Sequence, residues 1–158
     1  TSLINVLLEM GVNLNIKKES IEVLPSKNLK GLKIETAPYP GFPTDLQAQM
    51  MALLSQVEGN SQIKEKIFEN RYMHVPELNR LGADIKVKKE IAFINGSRRF
   101  KGAQVMASDL RASVSLVLAG LCAKGDTTIN RVYHLDRGYE KIEETLKKHG
   151  PIIKREKI

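Results

Sequence analysis

The stretch LNRLGADIKV at residues 78–87 packs a helix end, a glycine and an alternating strand into one short run. It recurs in variant form as LLEMGVNLNI at 7–16 and as LKKHGPIIKR at 146–155. Glycine belongs at the position just past a helix, where the backbone turns left-handed. The following apolar/polar alternation has the period of a strand. The glycines Gly11, Gly82 and Gly150 lie 71 and 68 residues apart. Helix starts repeat as well: Thr44-Asp45-Leu46 matches Ser108-Asp109-Leu110 at a spacing of 64, and Arg71 in ENRY matches Arg137 in LDRGY at 66. A repeated supersecondary unit explains all of these spacings together.

One unit reads in full. KIET at 33–36 is a strand, and residues 44–58 are a helix with Leu46, Met50, Leu53, Leu54 and Val57 on one face. Thr44 and Gln47 have the T-x-x-Q spacing of a capping box, which puts Asp45 in the first turn. Gly59 ends the helix, and SQIKEKIF at 61–68 is a strand. Residues 75–81 form a short helix with Pro76 near its first position. ADIKVKK and IAFIN close the unit as a hairpin around Lys89-Glu90. The order is βαβαββ, with parallel pairing across each βαβ piece. The next unit runs AQVM, a helix at 109–123, TTINRVY, a helix at 137–149 and PIIKRE. Residues 1–36 thus read as the end of one unit, 37–101 as a complete one, and 102–158 as one lacking its last strand. The expected fold class is α/β, a partial domain of repeats around buried helices. The start at Thr1 rather than Met suggests a piece of a longer protein.

Composition narrows the function classes. Hydrophobic content of 42% and charged content of 27% suit a globular chain. The single cysteine, Cys122, permits neither an intrachain disulfide nor a zinc cluster, which fits a reducing cytoplasm. It lies on the apolar helix 109–123 and reads as inert core. No apolar run is long enough to span a bilayer. A net charge of +7 suits an anionic partner. Aromatics at 5% and the lack of tryptophan argue against a base-stacking RNA module.

Two arginines break local rules. Arg111, in the first turn of the buried helix, and Arg137, after the expected cap Asp136, each place a cation at the positive end of a helix dipole. They either pair with Asp109 and Asp136 or converge with helix N–H groups on an anion. Asp45, too, reads either as a helix-dipole residue or as a site residue. The repeat puts Asp45, Arg71, Asp109, Arg111 and Arg137 at equivalent strand-to-helix junctions, on one rim. His74 and His134 occupy matched places and read as hydrogen-bonded structural residues, His149 as surface, and GDTT at 125–128 as a turn. No metal-ligand spacing is present.

The strings YPGFPTDLQAQ (39–49), FENRYMHVPELNRLGA (68–83), GAQVMASDLRASVSLVLAG (102–120) and YHLDRGYEKIEETLKKHG (133–150) closely resemble UDP-N-acetylglucosamine enolpyruvyl transferases, the 1-carboxyvinyltransferases. The resemblance covers the whole chain but well under half of a family member. It implies the inside-out α/β barrel of that family, two lobes each built from three βαβαββ units. It also implies transfer of the enolpyruvyl group of phosphoenolpyruvate to the 3′-hydroxyl of UDP-N-acetylglucosamine, the first committed step of peptidoglycan synthesis, with no cofactor and no metal. By resemblance Asp45 is the general base and binds that hydroxyl. Ile67, where Val also occurs, contacts the sugar nucleotide through its backbone. Arg111 and Arg137 bind phosphoenolpyruvate, and Arg71 is a further active-site arginine. The family's loop with a reactive Cys or Asp, a lysine and more arginines belong to the N-terminal lobe. Half an active site is therefore expected here, with negligible turnover alone. Rival readings are the shikimate-branch transferase, a basic RNA-binding module and a relative that keeps the fold without catalysis.

Overall fold

The computed structural model describes residues 1–156. Residues 157 and 158 of the expected third unit lie outside the described residues. In chain order the elements are α1 (Ser2–Met10), β1 (Leu14–Ile16), β2 (Ile21–Val23), β3 (Lys33–Glu35), α2 (Gln47–Leu54), β4 (Asn60–Lys64), α3 (Val75–Arg80), β5 (Ile85–Lys88), β6 (Ile91–Asn95), β7 (Gln104–Met106), α4 (Leu110–Cys122), β8 (Thr128–Asn130) and α5 (Ile142–Lys147). Short 3-10 turns cover Thr44–Leu46 and Val132–Arg137.

Strands β3, β4, β6 and β5 form one sheet in that order. β3 and β4 are parallel and joined through α2, and β7 and β8 repeat the arrangement around α4. β5 and β6 are the expected antiparallel hairpin, turning at Lys89 with φ 52°. One expectation fails, because β4 does not pair with β5. β6 lies between them, antiparallel to both. Its Ala92 and Ile94 are buried, whereas β5 buries Ile85 alone. The more apolar strand takes the inner place.

Gly82 has φ 107° and closes α3 as its position suggests: its N–H donates to Asn79 O, and that of Ala83 to Leu78 O. The third copy keeps its glycine but not its strand, since residues 151–156 form none. The helix expected over 137–149 is also shorter. α5 starts only at Ile142, after Lys141 has turned left-handed with φ 44°.

Helix α2 is buried on nearly every side, with Met51 and Leu54 fully enclosed, so the one-faced reading is too narrow. Helix α4 packs against it. Contrary to expectation, α4 is not wholly inside. Leu118, Leu121 and Cys122, one helical face by spacing, are exposed. Cys122 is therefore not core. The core joins α2 and α4, the latter through Leu116, to Met10, Ile63, Leu78 and Leu81.

Gly96 follows β6 where the backbone crosses the end of α2. Its N–H donates to Gly59 O at 3.0 Å, and an added Cβ would run into the carbonyl oxygens of Val57 and Gly59. Backbone cannot swing aside as a side chain would. Gly96→Ala should lower stability by about 1–3 kcal/mol, read as a shift of the urea midpoint.

Candidate active site

The loop before α2 is held by its own backbone: Ala37 N–H donates to Phe42 O, and Gly41 N–H to Pro38 O. Phe42 is buried beneath it, and the Tyr39–Pro40 bond is cis. The loop delivers Thr44 and Asp45 to the 3-10 turn ahead of α2. The expected capping box does not form. Thr44 Oγ1 donates instead to Glu65 Oε2 at 2.9 Å and accepts from Arg71 Nη1 at 2.7 Å. Gln47, buried, donates through Nε2 to Arg71 O at 3.1 Å. Both side chains have been drawn away from the helix end by longer-range partners.

Asp45 does not cap the helix either. Its Oδ1 accepts from Arg111 Nε at 2.5 Å and from Arg71 Nη2 at 3.3 Å. The hydrogen bond from Arg111 is the main reason its carboxyl titrates below the ordinary carboxylate value of 3.8; the positive charges of both arginines add to the effect. The repeat-equivalent Asp109 does cap a helix, accepting from the N–H groups of Arg111 at 2.9 Å and Ala112 at 3.0 Å. The Arg111 guanidinium thus turns to Asp45, not to its near neighbour. Arg71 also lies over the Phe68 ring, 4.7 Å from its centroid. Arg71, Arg111, Asp109 and Phe68 line a cavity of about 420 Å³ together with Thr44, Gln47 and His74; Asp45 is not itself a lining residue but is bound to two that are, Arg71 and Arg111.

Ile67 does not line this cavity; it precedes the wall residue Phe68 and borders a neighbouring cavity with Glu65, Lys66 and Tyr72. Its N–H is already committed to Glu65 Oε1 at 2.8 Å, so only its carbonyl is available to a ligand. Arg137 is not in the first turn of a helix. It ends the 3-10 turn Val132–Arg137, where a cation suits the negative end of the dipole. It does not line the cavity and has no hydrogen bond or ion pair among the described residues. Its expected alternative partner, Asp136, is instead gripped by both terminal nitrogens of Arg155, each at 2.8 Å. The chain just after Arg137 does pass the start of α4, because Gly138 packs on Leu110, the neighbour of Arg111.

The histidines depart from expectation too. His74 and His134 both have a buried Nε2 with no hydrogen-bond partner. Burial pushes His74 down to about 4, so its imidazole is neutral near neutrality. His149 is exposed. No cluster of His, Cys, Asp or Glu that could hold a metal occurs among the described residues.

The sequence reading missed Glu65, which is 3% exposed. A signal existed: in β4 and its extension the alternation puts Ser61, Ile63 and Glu65 on the same inward face.

Comparison with known proteins places this geometry in a family. The profile described as EPSP synthase (3-phosphoshikimate 1-carboxyvinyltransferase) matches residues 1–146, and the chain belongs to this family of enolpyruvyl transferases. Among curated relatives, the UDP-N-acetylglucosamine 1-carboxyvinyltransferase of Pelagibacter ubique is 58% identical over 96% of the chain and 36% of that protein. That of Zymomonas mobilis is 55% identical over 94% of the chain and 35% of that protein. The chain thus spans little more than a third of the length of these relatives. Among solved structures, the enolpyruvyl transferase NikO from Streptomyces tendae superposes with a TM-score of 0.88 at 30% identity, covering 94% of this chain and 35% of that one. EPSP synthase from Acinetobacter baumannii superposes at 0.72 and 17% identity over 98% of this chain and 36% of that one, a likeness of fold. The fold is that of the enolpyruvyl transferases.

Two titrations test the site's electrostatics. Replacing Arg111 by Gln removes the main cause of the low Asp45 pKa, so the Asp45 carboxyl carbon should titrate at higher pH in the NMR spectrum of that variant. For His74, the unfolded chain binds a proton near 6.5 and the folded chain only near 4. Unfolding therefore takes up a proton between these values, and stability falls as pH drops through that window. His74→Leu should flatten this part of the urea-midpoint profile against pH.

Proposed function

We propose that this chain supplies one wall of the active site of a UDP-N-acetylglucosamine 1-carboxyvinyltransferase. The observation that carries the reading is the junction of Asp45 with Arg71 and Arg111 at the mouth of the cavity. It lies in a chain more than half identical to enzymes of that name. The remaining lobe of the same protein completes the site, and this chain alone has negligible turnover.

The 3′-hydroxyl of UDP-N-acetylglucosamine attacks C2 of phosphoenolpyruvate, losing its proton to Asp45 while C3 gains one from an acid outside this chain. The phospholactoyl adduct then loses phosphate and a C3 proton to leave the enolpyruvyl ether. Arg111, Arg137 and Arg71 hold the phosphate and carboxylate, for which a planar guanidinium is better suited than an ammonium. Asp45 held by two arginines is a weak base. An arriving anion competes for the same guanidinium groups, loosens them from the carboxylate and restores its basicity. The base is thus strengthened as the co-substrate arrives. Ile67 meets the sugar through its carbonyl. No cofactor takes part. The product feeds peptidoglycan synthesis in the cytoplasm, where both substrates are found.

The shikimate branch is the second reading, because the matching profile carries the name 3-phosphoshikimate 1-carboxyvinyltransferase. The full-length parent should release phosphate from phosphoenolpyruvate with UDP-N-acetylglucosamine and not with shikimate 3-phosphate; the reverse preference would sink the first reading. Arg137→Ala should raise the KM for phosphoenolpyruvate roughly a hundred-fold. An unchanged KM would remove Arg137 from the anion site.

A further inference from the structure

Glu65 has a proton arithmetic that the proposed reaction leaves unused. Its carboxylate accepts from Thr36 Oγ1 at 2.8 Å, Thr44 Oγ1 at 2.9 Å, Ile67 N–H at 2.8 Å and Phe68 N–H at 3.2 Å. Each threonine has one hydroxyl proton to give. Thr44 also meets Arg71 Nη1, which can only donate, so its proton goes to Glu65 and a lone pair faces Arg71. Thr36 behaves alike, giving its proton to Glu65 and accepting Lys66 N–H at 2.8 Å. Glu65 therefore polarises both hydroxyls in one direction. Its backbone N–H donates to Glu90 O at 2.8 Å, with the Tyr72 hydroxyl a longer second acceptor at 3.2 Å, fixing the carboxylate's own stem.

We propose that Glu65 is a positioning residue of the active site: through Thr44 it aims the Arg71 guanidinium, and through the Ile67 and Phe68 N–H groups it sets the wall that faces the ligand. The proposal rests on the functional reading above. Three stretches that are distant in sequence, the end of β3, the PGFPT loop and the segment after β4, meet on this one side chain. Its loss should misplace the site without touching substrate.

The test uses the full-length parent with Glu65→Gln, Thr44→Val, Thr44→Ser and the Glu65→Gln/Thr44→Val double variant. An amide presents a donor where only donors already converge. Glu65→Gln and Thr44→Val should each lower kcat/KM on the order of a hundred-fold. The double variant should lose no more than the larger single loss, because both break one relay. Thr44→Ser, which keeps the hydroxyl, should recover most of the Thr44→Val loss. Losses that multiply in the double variant, or a Thr44→Val enzyme with wild-type kcat/KM, would overturn the relay. Amide hydrogen exchange of Ile67 and Phe68 gives a readout independent of substrate. Glu65→Gln should speed both amides while leaving the β6 amides protected, and unchanged protection would overturn the proposal. A wild-type parent inactive on the proposed substrates would instead overturn the functional reading, and the exchange result would then decide the role of Glu65 by itself.

Discussion

Glu65 is 3% exposed, and among the described residues no lysine or arginine pairs with it. A buried carboxylate in that position is tolerable only if hydrogen bonds replace its lost water. Four donors do so, and they come from three separate stretches of chain. The need to satisfy one buried charge therefore ties the β3 end, the loop before α2 and the wall of the cavity to a common point. It also explains why Thr44 abandons its helix. A charge-assisted bond to a carboxylate is stronger than a neutral cap, and the hydroxyl takes the stronger partner.

The two repeat-equivalent aspartates differ in what their carboxylates meet. Asp109 does what an acid at a helix start ordinarily does, capping α4. Asp45 sits in the matching triplet, but a short 3-10 turn rather than a capped α-helix surrounds it. Its carboxylate is left to the two arginines. The same repeat unit thus yields one structural acid and one acid that can turn toward a ligand. Arg111 links them: its N–H is fixed by Asp109 and its guanidinium is held by Asp45. A movement of Asp45 or the arrival of an anion would be felt directly at the first turn of α4.

Much of the fold was legible because its signals are local. Glycines past helix ends, the Lys89-Glu90 hairpin and the strand–helix alternation depend on near neighbours. The junction residues were legible as positions for the same reason, since the repeat fixes where Asp45, Arg71 and Arg111 must fall. Their partners were not. Thr44 spends its hydroxyl on a residue 21 positions away, and Asp136 is taken by Arg155 at a distance of 19. No spacing rule reaches that far. The insertion of β6 between β4 and β5 depends on competition for burial across the whole sheet. The exposure of Cys122 depends on which face of an apolar helix finds a neighbour. Both are properties of the assembled core, and the apolar pattern of α4 alone could not choose between its faces. Glu65 lay between these cases, since strand alternation pointed it inward but could not say what would meet it there.

We propose that Asp45 is a base held in reserve by arginines, not a helix-start residue. Asp45→Asn in the full-length parent tests it most directly, with turnover of phosphoenolpyruvate and UDP-N-acetylglucosamine measured beside the calorimetric Kd for the sugar nucleotide. Asparagine keeps the shape and one acceptor oxygen but cannot take a proton at neutral pH. We expect kcat lower by on the order of a hundred-fold or more, with the Kd nearly unchanged. Near-normal turnover would contradict it, returning Asp45 to the role that Asp109 plays at the start of α4.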